Sequence, residues 1–318
     1  MLRRSLSLIV LLSCAVALPL SAQSLVATIT VPGVPNGIAV NPHNNRVYAA
    51  IPYISSTGGS AVAVIDGSSN TLVDTISIPD RASFVAVNMV TGLVYAASGS
   101  TVTVIDGTSD KILTTVTVSG TGGIGIQGIT VNPVTNRIYV SDDNTYQLAV
   151  IDGYTNNTTY INTHNTEALG LSVDFATNQT LITPSGGALD IYNASTKALQ
   201  QVLVGQVNQD VAVNSFTSIA YVTNNSGTTL GIVNLKNFQV SNVTVGYSPY
   251  GVCVDYLSNL IFVAVEGSGD VVMVDGSTGK VAGSVSAPSS YVDVNPATRT
   301  VYAASTAVSP NVVYAISE

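Results

Sequence analysis

The chain has 318 residues, of which 46% are hydrophobic and only 9% are charged, and its formal net charge at pH 7 is −8. An acidic chain without any cluster of Lys or Arg lacks the basic surface that nucleic-acid-binding proteins use, so the composition argues against that class. Its mean hydropathy of +0.41 is spread over many short Val- and Ile-rich segments, separated by Gly, Asn, Asp and Ser. This pattern is typical of strands whose two faces are both covered, and it predicts an all-β fold.

Residues 1–22 are predicted to be a secretory signal peptide. Arg3 and Arg4 provide the positive start, residues 6–18 the apolar stretch, and Ala22 the small residue before the cleavage site. The apolar stretch is short and is followed by polar, strand-like sequence, which argues against a retained membrane helix. We therefore expect an extracytoplasmic protein that is periplasmic, secreted or displayed at the cell surface.

A lipid anchor at Cys14 is the alternative outcome of this processing. Residues 11–14 loosely resemble a lipoprotein processing site, but Leu12 fits poorly at the position two residues before the cysteine. The site after Ala22 is favoured for that reason. The other cysteine, Cys253, belongs to an apolar strand-like segment and is predicted to be a buried small hydrophobic residue.

A repeat of about 40 residues runs through the rest of the chain. Its first half is an apolar strand, a turn and a second strand, with the turn residues Asn41, Asn88, Asn132, Asp174, Asn214, Asp255 and Asn295. Its second half adds two strands around a tight turn at Asp66, Asp106, Asp152, Asn193, Asn234 and Asp275. Four strands in each repeat match one blade of a β-propeller, so the seven copies predict a seven-bladed β-propeller with four-stranded antiparallel blades.

The first strand of the chain can supply the strand that the last repeat lacks. The last repeat stops after its third strand, at residues 311–317, whereas residues 25–31 have the pattern of a fourth strand. Pairing these segments would close the ring and cover a strand edge that otherwise promotes aggregation. We therefore expect residues 24–318 to form one propeller domain that is closed by the first strand of the mature chain.

The repeat also resembles a known family. Residues 221–224 read Tyr-Val-Thr-Asn, and residues 47–50, 94–97, 138–141 and 301–304 are close variants. These segments, together with the Val-Ile-Asp-Gly corners, resemble the YVTN-type β-propeller repeat family over essentially the whole mature chain. Blade four departs from the pattern, with Leu-Ile-Thr-Pro at residues 181–184. The resemblance implies an exported or surface-layer bacterial or archaeal protein and no particular chemistry.

Two sets of repeated side chains are predicted to be structural. The Asp and Asn residues between the third and fourth strands recur in every blade, which fits Asx turns better than an array of Ca²⁺ ligands. An aromatic residue recurs on the second strand and is expected to lie buried between blades, with the tyrosine hydroxyls near a partner; these residues are Tyr48, Tyr95, Tyr139, Tyr221, Tyr302 and Phe262.

Candidate ligand contacts lie on the face where the blade-to-blade connections and the second-to-third-strand loops emerge. Aromatic, amide and charged side chains mixed on such loops suit a glycan, a peptide or a small polar molecule. The predicted contacts are Tyr53, Arg81, Gln127, Tyr146, His164, Asn165, Gln206, Asn208, Tyr247, Tyr250 and Glu266. Asp142 and Asp143 are weak candidates for a divalent cation such as Ca²⁺, although a solvated acidic loop is the favoured interpretation and no cofactor is expected.

Two functions remain open. The favoured one is a non-catalytic binding or scaffold protein, with a protein or glycan ligand at the mouth of the central channel. The alternative is a metal-dependent hydrolase of the propeller lactonase type, which holds one divalent cation at the channel mouth. The residues predicted just before the inner strands include no acid, and Asp210 and Asp293 are the only carboxylates predicted on those strands. His43 and His164 are predicted on opposite faces, so they cannot jointly form a zinc site.

Overall fold

The computed structural model describes residues 23–54, 56–118, 125–142, 147–163, 167–305 and 310–318. In these ranges the chain forms 28 strands and no helix. No helix capable of crossing a membrane is therefore found within the described ranges. The predicted signal peptide, with Cys14, lies outside them.

The strands form seven four-stranded antiparallel sheets, which are the blades of a propeller. The first strand of the chain is β1 (Ser24–Thr30). Blade one then contains β2 (Ile38–Asn41), β3 (Arg46–Ile51), β4 (Ser60–Asp66) and β5 (Thr71–Ile78). Blade two contains β6 (Ala82–Val87), β7 (Leu93–Ser98), β8 (Thr101–Asp106) and β9 (Lys111–Thr117).

The middle blades repeat this order. Blade three contains β10 (Ile126–Asn132), β11 (Arg137–Asp142), β12 (Gln147–Asp152) and β13 (Thr158–Asn162). Blade four contains β14 (Ala168–Asp174), β15 (Gln179–Pro184), β16 (Ala188–Asn193) and β17 (Leu199–Leu203). Blade five contains β18 (Asn208–Asn214), β19 (Ile219–Asn224), β20 (Thr229–Asn234) and β21 (Val240–Thr244).

Blade six contains β22 (Pro249–Asp255), β23 (Leu260–Val265), β24 (Asp270–Asp275) and β25 (Lys280–Ser286). Blade seven takes three strands from the end of the chain, β26 (Tyr291–Asn295), β27 (Thr300–Ala304) and β28 (Val312–Ser317), and its fourth strand is β1. β1 runs antiparallel to β28, from the pair Ser24 and Ser317 to the pair Thr30 and Val312. The predicted seven blades and the predicted closure by the first strand are both confirmed.

The turn between the first and second strands joins neighbouring blades. In blade two the buried Asn88 accepts a hydrogen bond from the N–H of Val90 (2.9 Å) and donates one to Oδ1 of Asn136 in blade three (2.7 Å). Asn136 has a φ of 52°, a left-handed conformation that asparagine tolerates well. The same amide-to-amide bond recurs at Asn132–Asn178, Asn214–Asn259 and Asn295–Asn45, of which the last joins blade seven to blade one.

The tyrosines of the second strands also lie between blades, as expected. Tyr48 is fully buried, and its hydroxyl donates to the carbonyl of Gly107 in blade two (3.0 Å). Burial raises the pKa of Tyr48 to about 12. Tyr302 similarly reaches the carbonyl of Gly67 in blade one (3.4 Å). The expectation of a hydroxyl partner is wrong for Tyr95 and Tyr221, whose hydroxyls are buried without one among the described residues.

The Asp corners between the third and fourth strands are Asx turns, which confirms their structural interpretation. Asp66 Oδ1 accepts the N–H of Ser68 (2.8 Å), and Asp275 Oδ1 accepts the N–H of Ser277 (2.8 Å). Hydrogen bonds from these serines, led by their hydroxyls, lower the pKa of both carboxyls. Each corner therefore uses its carboxylate to hold its own turn.

Candidate functional site

The inner strands of the blades surround a central channel with a volume of about 340 Å³. Because these strands run side by side, residues at the same distance from the first turn of each blade form a layer around the channel. Among the described residues, the lining includes the carboxyl groups of Asp210 and Asp293 and contains no Lys, Arg or His. This part of the channel wall therefore carries negative charge without a cationic side chain to balance it.

The layer four residues before each first-turn residue, here called the upper layer, breaks the repeat. Four of its members are the glycines Gly37, Gly128, Gly170 and Gly251, and the other three are Phe84, Asp210 and Tyr291. A glycine precedes each of these three side chains around the ring. A Cβ on Gly170 would lie 2.6 Å from the Cα of Asp210, and one on Gly251 would lie 2.9 Å from the Cα of Tyr291. The glycines thus allow neighbouring inner strands to approach each other closely at this layer.

Asp210 is placed by an irregularity at the start of β18. The pairing of β18 with β19 shifts register between Asn208 and Val211, so the N–H of Asp210 donates to the hydroxyl of Thr223 (3.0 Å) instead of to the strand ladder. Oδ1 of Asp210 accepts the N–H of Val211 (2.8 Å), and Oδ2 accepts the N–H of Val252 in blade six (3.1 Å). Loss of solvent around this half-buried carboxyl raises its pKa to about 6.

Asp293 occupies the same channel two residues closer to the first turn of its blade. Oδ2 accepts the N–H of Val40 in blade one (2.7 Å), Oδ1 accepts the N–H of Val294 (2.9 Å), and loss of solvent raises its pKa to about 6. Cys253 lies at the equivalent position of blade six and is buried. Its own burial, followed by the negative charge of Asp293, raises the pKa of the thiol well above its usual range. The thiol is therefore a packing group, as predicted.

Three aromatic rings meet at the upper end of the channel. The ring of Tyr291 is edge-on to the ring of Phe84, with centroids 5.7 Å apart, and to the ring of Tyr250, with centroids 5.3 Å apart. Burial, and then the neighbouring Tyr250, raise the pKa of Tyr291 well above its usual range, and Asp210 and Glu266 add to this shift. Phe84, Tyr291 and Asp210 all line the channel.

The structure brings three of the predicted contacts together at this end, here called the channel mouth. Gln127 lines the channel, Tyr250 packs against Tyr291, and Glu266 accepts a hydrogen bond from the hydroxyl of Ser290. Gln127 comes from blade three, and Tyr250 and Glu266 come from blade six and contact residues of blade seven. They border the upper layer and form the candidate ligand site.

Two other predicted contacts lie in a separate cleft. Tyr53 and Arg81 line a recess of about 460 Å³ beside blade one, together with Asp80 and two prolines. The extended loop between β3 and β4 forms one wall of this cleft. None of its lining residues belongs to the channel, so the cleft is a second surface rather than part of the channel mouth.

The remaining predicted contacts differ in accessibility. Gln206 and Tyr247 are exposed on the connections that enter blades five and six. Asn208 is fully buried and its amide donates to the carbonyl of Ala188 (2.8 Å), so it links blades four and five and does not face solvent. Tyr146, His164, Asn165 and Asp143 lie outside the described residues. Asp142 is the last residue of β11, and its side chain is also outside them.

Sequence reasoning did not select Phe84 or Tyr291, and it treated Asp210 only as a spare carboxylate. The signal that identifies them is a comparison of equivalent positions across the blades. Where the repeat has glycine in four blades, a large or charged residue in the other three is conspicuous. Loops attract attention because they vary, but here the informative variation is inside the inner strands.

The residues of the described ranges do not fit a metal centre of the lactonase type. Among them, no three His, Cys, Asp or Glu side chains are grouped closely enough to hold a metal ion. Asp210 and Asp293 are offset by two residues along the strand direction, and each of their carboxylates already accepts two backbone N–H groups.

The opposite end of the channel has a different character. The turns between the first and second strands carry the exposed apolar side chains Val90, Val134, Phe216 and Leu257. The ring of Phe216 packs edge-on against Phe175, with centroids 5.9 Å apart. The far end therefore combines these exposed apolar side chains with the asparagine pairs of the first turns.

Comparison with known proteins supports the fold and nothing more specific. No protein-family model matches the chain, and no curated protein matches it in sequence. Among solved structures, a chain of the hydrazine synthase of Kuenenia stuttgartiensis is similar, with a TM-score of 0.75 and 15% sequence identity over 89% of this chain and 95% of that chain. At this identity the likeness shows a shared propeller architecture and transfers no activity.

Proposed function

We propose that this chain is an exported, non-catalytic β-propeller of the YVTN-type repeat family that acts as a binding or scaffold protein. Its ligand, a glycan, a peptide or a small polar molecule, binds at the channel mouth. The observation that carries this proposal is the upper layer, where the repeat is broken only by Phe84, Asp210 and Tyr291. Residues that depart from a repeat in a concave site are candidates for function, because the ring itself does not require them.

The binding half of the proposal is tested with a glycan array and a peptide panel. Tyr250→Ala removes a ring from the channel mouth, and Tyr53→Ala removes an equivalent ring from the separate cleft and serves as the matched control. We expect a ligand of the wild-type protein to be lost with the first variant and retained with the second. The reverse result would place binding in the cleft and contradict the proposed site.

The export half rests on the pattern of residues 1–22. Expression in a bacterium followed by fractionation should recover the protein outside the cytoplasm. Sequencing of its first residues should begin at Gln23, because cleavage is expected after Ala22. A mature protein that retains Met1, or one that carries lipid on Cys14, would contradict this processing.

Metal-dependent hydrolysis at the channel mouth is the alternative function. Metal analysis of the purified protein, combined with assays on a panel of lactones and phosphoesters, separates the two functions. A stoichiometric metal accompanied by turnover would overturn the non-catalytic proposal. Turnover that disappears after chelation would identify the metal as the reacting centre.

A further inference from the structure

We propose that the channel mouth binds a small organic cation, an ammonium or quaternary ammonium group, between the carboxylate of Asp210 and the rings of Tyr291 and Phe84. This inference rests on the proposed binding function and names the chemical class of its ligand. It follows from three features of the upper layer: its charge, its aromatic geometry and the space that its glycines leave.

The charge of the channel is not neutralised from within. Each oxygen of Asp210 accepts one backbone N–H, from Val211 and from Val252, and these donors are uncharged. Within the ranges that the structure describes, the lining contains Asp293 as a second carboxylate and no Lys, Arg or His. Because the channel walls exclude part of the solvent, this negative charge attracts cations more strongly than an exposed carboxylate does.

Aromatic rings line the same channel as Asp210. Phe84 and Tyr291 both belong to the lining, and their rings meet at an interplanar angle of 84°. Aromatic rings attract cations through their quadrupoles, and quaternary ammonium groups are recognised in this way. A channel lined by a carboxylate and by aromatic rings therefore favours cations over anions.

The space suits a small molecule. Gly37, Gly128 and Gly170 also line the channel at this layer and add no side chain to it. The channel volume of about 340 Å³ lies at the lower end of the range for small-ligand pockets. Among the described residues, no third His, Cys, Asp or Glu joins Asp210 and Asp293 in a group that could hold a metal ion. An organic cation needs only one carboxylate together with an apolar wall.

The test compares a cation with its neutral isostere on the full mature chain. Calorimetric titration with choline, tetramethylammonium and benzylammonium is set against 3,3-dimethylbutanol, which has the shape of choline without its charge. CaCl₂ is titrated as the metal alternative. We expect at least one of the organic cations to bind about tenfold or more tightly than the neutral alcohol.

Matched variants locate the binding. Asp210→Asn should weaken cation binding about tenfold or more, whereas Asp293→Asn, the same change on the same channel, should alter it less than about twofold. Tyr291→Leu removes the ring between Phe84 and Tyr250 and should also weaken binding. Melting curves of all three variants show whether each one folds, and Tyr291→Leu keeps the test decisive if Asp210→Asn does not.

Several results would overturn the inference. These are equal binding of choline and its neutral isostere, equal losses in Asp210→Asn and Asp293→Asn, and no binding of any cation at about 10 mM. Preferential binding of Ca²⁺ would replace the organic cation with a metal. If the cations fail while a glycan or peptide still binds in a manner that depends on Tyr250, the ligand class is wrong and the proposed function stands. If no class binds, both are wrong.

Discussion

The interfaces between blades and the upper layer of the channel use the repeat in opposite ways. At the interfaces the same pair recurs, as with Tyr48 against Gly107 and Tyr302 against Gly67. In the upper layer the equivalent position is glycine in some blades and Phe84, Asp210 or Tyr291 in others. The recurring pairs build a closed ring. The upper layer differs from blade to blade and therefore gives particular blades a charged or aromatic side chain at the channel.

Departures from the repeat also occur at an interface, but there the neighbouring blade compensates for them. Blade four has Leu181 in place of the tyrosine, and blade five has Leu235 in place of the corner glycine. Both leucines are buried in one apolar cluster. In the upper layer, by contrast, the negative charge of Asp210 meets no cationic side chain in the described part of the channel lining. A residue that departs from the repeat and is matched by a change in the next blade indicates packing. A residue that departs from it without such a match indicates a ligand.

Removal of β1 is expected to have the largest effect on the interfaces. Deleting residues 24–30 uncovers β28 and exposes Val313 and Ala315, which are buried in the core between blades seven and one. We expect the melting temperature to fall by on the order of 10 °C or more, with aggregation through the open edge. Leu25→Ser is the control, because Leu25 on the same strand is already exposed. An unchanged melting curve for the deletion would contradict the closure.

Truncation of one interface tyrosine is expected to have the next largest effect. Tyr302→Ala leaves a cavity between blades seven and one and should lower the free energy of unfolding by about 3–5 kcal/mol. Tyr154→Ala, at an exposed site, should change it by less than about 0.5 kcal/mol. Urea unfolding of both variants measures the difference. Equal effects would show that burial between the blades does not stabilise the ring.

Most of the fold could be predicted from the sequence, because spacing alone determines how many blades form and where the turns lie. The corner aspartates could be predicted as well, since an Asx turn such as that of Asp66 uses only neighbouring residues. The contact of Phe84 with Tyr291 could not, because the two residues belong to blades two and seven and meet only through the channel. The prediction that Asn208 contacts a ligand could not foresee its burial, because the register shift between Asn208 and Val211 does not show in the sequence spacing.

Carboxyl groups of the channel and of the blade corners have pKa values that are shifted in opposite directions, and the pH dependence of unfolding distinguishes them. The pKa of Asp210 and of Asp293 is raised to about 6 in the folded protein, whereas in an unfolded chain it is about 3.9. Between about pH 6 and pH 4 the folded state therefore binds more protons, and the free energy of unfolding rises as the pH falls. Each carboxyl contributes at most about 3 kcal/mol, at about 1.4 kcal/mol per pKa unit.

The groups near Asp210 and Asp293 do not reverse this trend. Burial, as the largest cause, raises the pKa of both Tyr291 and Cys253 well above the usual range, so they remain protonated throughout. Hydrogen bonds lower the pKa of corner carboxyls such as Asp66, so their stabilisation is lost only as the pH falls further. Urea unfolding at pH 7 and pH 4.5 should show the rise in the wild type and a smaller rise in Asp210→Asn/Asp293→Asn. An equal rise in the double variant would assign the trend to other groups.

The smallest expected effect tests whether the two leucines of blades four and five really replace a tyrosine and a glycine. A Cβ on Gly276 would lie 2.6 Å from the hydroxyl oxygen of Tyr221, so Gly276→Leu should lower the free energy of unfolding by about 1–3 kcal/mol through overpacking. Adding Tyr221→Leu copies the pair Leu181 and Leu235 and should recover part of that loss. A double-mutant cycle measures the coupling. If the two changes are simply additive, the leucines of blades four and five are independent substitutions, and compensation no longer separates the interface from the channel mouth.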